Sequence, residues 1–144
     1  MIAVVDSSVV VKWFVDEKDA GLALDLRLRP LAAPDLLLAE CANVFWKKAR
    51  RGEYTSDDAA LALRAIERAP ILISPSIGLT GRAFDLALRL EHPAYDCFYL
   101  ALCEQLALPF ITADDKLQRK VASASSTAVS VLTLREWKSA LNAA

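Results

Sequence analysis

Histidine occurs once in these 144 residues, cysteine three times and glycine four times, and each scarcity closes off a chemistry. The cysteines, Cys41, Cys97 and Cys103, are odd in number and form no Cys-x-x-Cys pair. Neither a disulfide framework nor a zinc site is expected from them, and buried reduced thiols fit better. His92 stands directly before Pro93. It reads as a loop or helix-start residue rather than a general base, because a histidine working near neutral pH needs a positioned partner. The glycines build no Gly-x-Gly-x-x-Gly, no Gly-x-x-x-x-Gly-Lys-[Ser/Thr] and no Gly-x-Ser-x-Gly. Dinucleotide binding, P-loop nucleotide hydrolysis and nucleophile-elbow chemistry are disfavoured together. No apolar run approaches the roughly 18 residues of a membrane span, and no cationic segment precedes the first one. A cytoplasmic location is therefore expected. Neither charge sign dominates, with 17 Lys and Arg against 18 Asp and Glu. Any nucleic-acid contact must use a local patch. The densest basic stretch holds Lys47, Lys48, Arg50 and Arg51. It reads equally as a helix C-terminus, where cations oppose the helix dipole.

What is present is 55% hydrophobic residues, enough for a real core, in a length typical of one domain, residues 1–144. Short apolar runs alternate with longer helical patterns. Strands are predicted at Ile2–Val5, Leu31–Ala33, Ile71–Ser74, Phe110–Thr112 and Val129–Leu132. They are nearly all apolar, as parallel strands covered on both faces are. Helices are predicted at Ser7–Val15, Lys18–Leu28, Leu36–Arg51, Ser56–Ala69, Gly78–Leu90, Tyr95–Leu106, Asp115–Ala122 and Leu134–Asn142. Such alternation argues for α/β layering around a small parallel sheet.

Four acids stand where core-forming residues surround them. Asp6 ends Ile2-Ala3-Val4-Val5, and Asp114 follows Phe110-Ile111-Thr112. Asp96 precedes Phe98-Tyr99-Leu100, and Glu40 interrupts an apolar helix face with no Lys or Arg nearby before Lys47. Carboxylates in such places are costly unless paired or bound to cations. A cluster of oxygen ligands suits a hard divalent ion such as Mg²⁺. Residues just past strand C-termini in a parallel sheet face the ligand crevice. Asp6 alone also reads as a helix N-cap; Ser7 taking the cap would leave Asp6 free for a metal. Asp114 and Asp115 divide in the same way between ligand and cap. Thr112 is placed to hydrogen-bond a carboxylate. With no histidine or cysteine nucleophile in view, a metal-activated water is the simplest one.

On Val4-Val5-Asp6-Ser7-Ser8, on Pro34-Asp35 through Glu40-Cys41-Ala42-Asn43, on Tyr95-Asp96-Cys97-Phe98-Tyr99 and on Thr112-Ala113-Asp114-Asp115, the chain resembles a PIN-domain ribonuclease of the VapC toxin type. No single motif is specific; four in register are. The resemblance implies a three-layer α/β/α fold, with a five-stranded parallel sheet in the order 3-2-1-4-5. It implies Mg²⁺- or Mn²⁺-dependent endoribonuclease activity, with Asp6, Glu40, Asp96 and Asp114 as the acidic quartet. Asp6, Asp96 and Asp114 would hold metal, and Glu40 would position water or a second ion. Ser7, Asn43, Thr112 and Asp115 would support them, the Thr-Ala-Asp pattern favouring Asp114 over Asp115 as the fourth acid. Lys47, Lys48, Arg50 and Arg51 would track an RNA backbone. The implied partners are RNA and a small cognate antitoxin, in a homodimer, a heterotetramer or a larger complex.

Two other classes fit parts of the pattern. A Mg²⁺-dependent phosphatase or receiver domain also places acids at strand ends. The first would need a second Asp where Ser8 stands, and the second an acid after Ile71–Ser74, where Pro75 stands. A non-catalytic PIN-like binding module would not need all four acids. Trp13, Phe14, Trp46 and Trp137 serve either as partner anchors or as core.

Overall fold

The computed structural model describes residues 1–143. Its strands are β1 (Ala3–Val5), β2 (Leu31–Pro34), β3 (Ile71–Ser74), β4 (Phe110–Ile111) and β5 (Val131–Leu132). All pair in parallel, in the order β3-β2-β1-β4-β5. The helices are α1 (Ser7–Val10), α2 (Ala20–Leu24), α3 (Leu36–Arg50), α4 (Ser56–Glu67), α5 (Thr80–Leu90), α6 (Ala94–Leu106), α7 (Asp115–Ala122) and α8 (Leu134–Ala143). A short 3₁₀ turn, Val11–Trp13, extends α1.

The three central strands carry the apolar load. Every residue of β1, β2 and β4 is buried. Inward faces of α3 (Leu37, Cys41, Phe45) and α6 (Tyr99, Leu100, Leu102, Cys103) complete one core cluster. The three cysteines are buried and reduced. Strand β3 departs from the expectation of burial on both faces. It is an edge strand, and Leu72 and Ile73 are exposed.

Helix boundaries follow local chemistry. Thr55 caps α4, its hydroxyl accepting from the Asp58 N–H at 3.1 Å. Gly52, with φ of 72°, follows α3 and ends it. The helix predicted over Lys18–Leu28 shrinks to Ala20–Leu24. Leu22, Leu24, Leu26 and Leu28 repeat every two residues, which cannot make one helical face. Accordingly Leu26 is buried while Leu24 and Leu28 are exposed. The Trp13 indole N–H bonds the Ala23 carbonyl at 2.8 Å and pins this segment to the core. Trp13 and Trp137 are core residues, whereas Trp46 is exposed.

Two features of this topology place the site. Strand order reverses between β1 and β4, so a crevice opens beyond their C-terminal ends. The α5–α6 connection is only Glu91-His92-Pro93, and it sets the first turn of α6 over that crevice.

Candidate active site

Asp6 follows β1 at the reversal point and is 6% exposed. It is itself the N-cap of α1, accepting from the Val9 N–H at 3.3 Å. This corrects the assignment of the cap to Ser7. The hydroxyl that holds Asp6 is that of Ser8, donating to Oδ1 at 2.5 Å. Thr112, at the end of β4, donates to the other oxygen, Oδ2, at 2.5 Å. The Ser8 and Thr112 hydroxyls in turn accept the N–H groups of Ala113 and Asp114, both at 3.0 Å. Ser8 of α1 and Thr112 just past β4 therefore lock both oxygens of one buried carboxylate. Burial pushes the Asp6 carboxyl up from 3.8 to about 6, against the two hydroxyl bonds and with help from the negative charge of Asp96.

Glu40 projects from α3 at the edge of its buried face, beside Leu37 and Cys41. Its partner is the phenol of Tyr99, which donates to Oε1 at 2.5 Å. Tyr99 is fully buried and stacks on Phe110 with ring centroids 5.5 Å apart. Partial burial pushes Glu40 up from 4.5 to about 7. The Tyr99 bond opposes this, and the charges of Asp6 and Asp96 add to it. The Tyr99 hydroxyl is raised by its burial and by Glu40.

Asp96 lies in the first turn of α6, and its Oδ2 meets His92 Nε2 at 2.5 Å. Asp114 is the N-cap of α7, its Oδ1 accepting the N–H groups of Lys116 and Leu117 at 3.0 and 3.1 Å. The division expected between Asp114 and Asp115 is thus corrected: Asp114 is the cap, and Asp115 occupies the first turn. One donor atom each from His92, Asp96 and Asp114 lies within 4.8 Å of the others.

The structure brings Asp6, Glu40, Asp96, Asp114 and Thr112 to one crevice. It leaves Asn43 exposed on α3, away from any bond to Glu40. The basic stretch divides. Lys48 lines a cleft of about 300 Å³ next to Ser8, the partner of Asp6, with Ser7, Lys12, Glu17, Val44 and Ala113; Lys12 pairs with Glu17 at 3.2 Å and Lys48 with Glu53 at 3.6 Å. Lys47, Arg50 and Arg51 surround Trp46 in a separate hollow, with the Arg50 guanidinium over the indole. Four residues of this region are not singled out by the sequence pattern. By sequence Ser8 is indistinguishable from its neighbour Ser7, and Lys12 carries no local signal. Tyr99 did carry one: a tyrosine inside a buried helical run needs a hydroxyl partner. His92 stands in the connection before α6, as a loop or helix-start residue should, yet it is buried and hydrogen-bonded inside the site.

None of the four acids forms an ion pair with Lys or Arg among the described residues. Uncompensated, mutually repelling carboxylates at a strand-order reversal fit a divalent cation, as the oxygen-only donor set of the quartet also does.

The PIN domain family model matches residues 3–123. Ribonuclease VapC3 of Pyrobaculum aerophilum is 31% identical over 121 residues, spanning 81% of this chain and 92% of that protein. The crystal structure of PAE2754 from the same organism superposes with a TM-score of 0.72 at 21% identity, covering 100% of this chain and 91% of that one. A toxin–antitoxin complex from Klebsiella pneumoniae contains a chain with a TM-score of 0.62 at 18% identity, covering 92% and 97%.

Proposed function

The chain belongs to the PIN-domain family, and from that membership we propose that it is a metal-dependent endoribonuclease toxin of the VapC type. The observation that carries the reading is the convergence of four carboxylates that form no ion pair with Lys or Arg among the described residues. Asp6, Asp96 and Asp114 would hold the ion, with Mg²⁺ or Mn²⁺ the best match to oxygen donors. When bound, it supplies positive charge to the phosphodiester oxygens and acidity to water.

The protein's own groups do the rest. Ser8 and Thr112 fix both oxygens of Asp6, so its carboxylate presents one orientation. Tyr99 holds one oxygen of Glu40 and leaves the other free. With its proton affinity raised to about 7, Glu40 is matched to orienting the attacking water and taking its proton near neutral pH. Lys12 and Lys48 rim the adjoining cleft and would exchange their partners Glu17 and Glu53 for phosphates flanking the scissile bond. Lys47, Arg50 and Arg51 would engage RNA farther out. Asp115 would act from outside the ligand set.

The partners that follow are an RNA substrate and a small antitoxin protein that covers the crevice. The Klebsiella neighbour is itself part of a toxin–antitoxin complex. A cytoplasmic homodimer, with a single domain over residues 1–144 in each subunit, completes the proposal, and antitoxin binding would make a heterotetramer or a larger complex. No described helix is long and apolar enough to cross a membrane.

The test is cleavage of RNA by purified protein with Mn²⁺, beside an Asp6→Asn variant and an EDTA control. Cleavage lost in both controls is the expected result. Cleavage that survives Asp6→Asn would overturn the assignment of the site.

A further inference from the structure

We propose that His92 is a positioning residue of the acidic site. Its Nε2–H holds one oxygen of Asp96, so that the other oxygen faces a bound divalent cation. This rests on the metal-dependent reading above.

The ring is placed by the backbone around it. Glu91 ends α5 in the left-handed region, with φ of 51°, and the His92 N–H returns to the Ala87 carbonyl at 3.2 Å. Pro93 then starts α6. This tight reversal turns a residue of a short connection inward, leaving it 8% exposed. Nε2 meets Asp96 Oδ2 at 2.5 Å.

The other nitrogen decides the role. Nδ1 is buried and has no hydrogen-bond partner among the described residues. A neutral imidazole carries its proton on one nitrogen. Ligating a metal through Nε2 would move that proton to Nδ1, leaving a buried N–H without an acceptor. Ligating histidines instead donate their second N–H to a partner. With the proton on Nε2, Nδ1 is only an unused acceptor, which interiors tolerate more often than an orphaned donor. The ring is therefore a donor to Asp96 and not itself a ligand.

His92 also completes a pattern. Asp6 is held by Ser8 and Thr112, Glu40 by Tyr99, and Asp114 by backbone N–H groups. Every acid is held by a donor other than Lys or Arg among the described residues. A Lys or Arg in any of these places would orient equally well but would cancel charge that a cation needs. His92 orients Asp96 without bringing a fixed positive charge.

The experiment is Mn²⁺ titration by calorimetry of the full chain, its Asp96→Asn variant and three His92 variants. Each is checked for cooperative thermal unfolding in EDTA. A glutamine places its amide nitrogen near the position of Nε2, and an asparagine near that of Nδ1. His92→Asn and His92→Ala should weaken Mn²⁺ binding by about ten- to a hundredfold, and His92→Gln should recover most of the loss. If His92→Ala does not fold, the Gln and Asn pair decides alone. Binding unchanged in His92→Asn, while Asp96→Asn abolishes it, would overturn the role of His92 and leave the metal site standing. Equal loss in the Gln and Asn variants would overturn positioning in favour of direct ligation. No Mn²⁺ binding by the wild type would overturn both this inference and the reading it rests on.

Discussion

Replacing Asp6 by Asn should stabilise the metal-free protein above pH 6 and abolish its response to Mn²⁺. Asp6 is buried, and its carboxyl is raised from 3.8 to about 6. A raised acid binds its proton more tightly in the folded chain than in the unfolded one. Its contribution to stability is thus fully present below pH 3.8 and is lost as pH rises to about 6. At roughly 1.4 kcal/mol per pH unit, the whole window is worth about 3 kcal/mol. Asn cannot ionise, so the variant omits this loss. Ser8 and Thr112 have hydroxyls that both donate and accept, so an amide in place of the carboxylate keeps partners. The curves of wild type and variant should meet near pH 4 and diverge by about 1–3 kcal/mol at pH 7.5. With a urea slope of about 2 kcal/mol/M, that is a midpoint difference of roughly 0.5–1.5 M. Urea unfolding in EDTA, from pH 4 to 8, measures it. Mn²⁺ should then reverse the order by stabilising the wild type alone. Parallel stability curves from pH 4.5 to 7, or a variant clearly less stable at pH 7.5, would refute the argument that buried charge is the dominant strain.

Three further expectations come from the same geometry. Ser8→Ala removes a donor to a buried carboxylate and should cost about 1–3 kcal/mol at pH 7.5, whereas Ser7→Ala should stay within about 0.5 kcal/mol; equal effects in urea unfolding would contradict the assignment of the bond to Ser8. Tyr99→Phe removes the bond that lowers the proton affinity of Glu40. The acid limb of the pH profile of kcat/KM should therefore move upward, and an unmoved limb would exclude Glu40 as the base. Mn²⁺ must displace the proton of Asp6, so its observed affinity should climb from pH 5 to about 7 and then level; calorimetry in two buffers would expose a pH-independent affinity that contradicts this.

Much of the layering was readable along the chain. The alternation of short apolar runs with helical stretches survives in the structure, and Asp6 and Asp114 do stand just past β1 and β4. The order β3-β2-β1-β4-β5 entered only through the resemblance, since no pattern of periodicity states which strands are neighbours. Lys18–Leu28 is rich in leucine, but the two-residue spacing of its leucines does not build one helical face, and the helix is confined to Ala20–Leu24. The same limit separates Ser7 from Ser8: either hydroxyl can hold Asp6, and only the direction of the chain leaving β1 chooses between them.

Sequence alone determined the kind of chemistry. Four acids in apolar settings, with one histidine and no phosphate-binding loop, leave a divalent cation as the simplest agent, and burial cost makes that inference local. Tertiary structure decided which donor holds which acid. Thr112 reaches Asp6 from 106 positions away and Tyr99 reaches Glu40 from 59. Parallel pairing of β1 with β4 and the seating of α6 beside them create both contacts. His92 shows the difference at its smallest. It lies four residues from Asp96, yet its role depends on a backbone reversal and on the burial of a ring nitrogen that the neighbouring letters do not record.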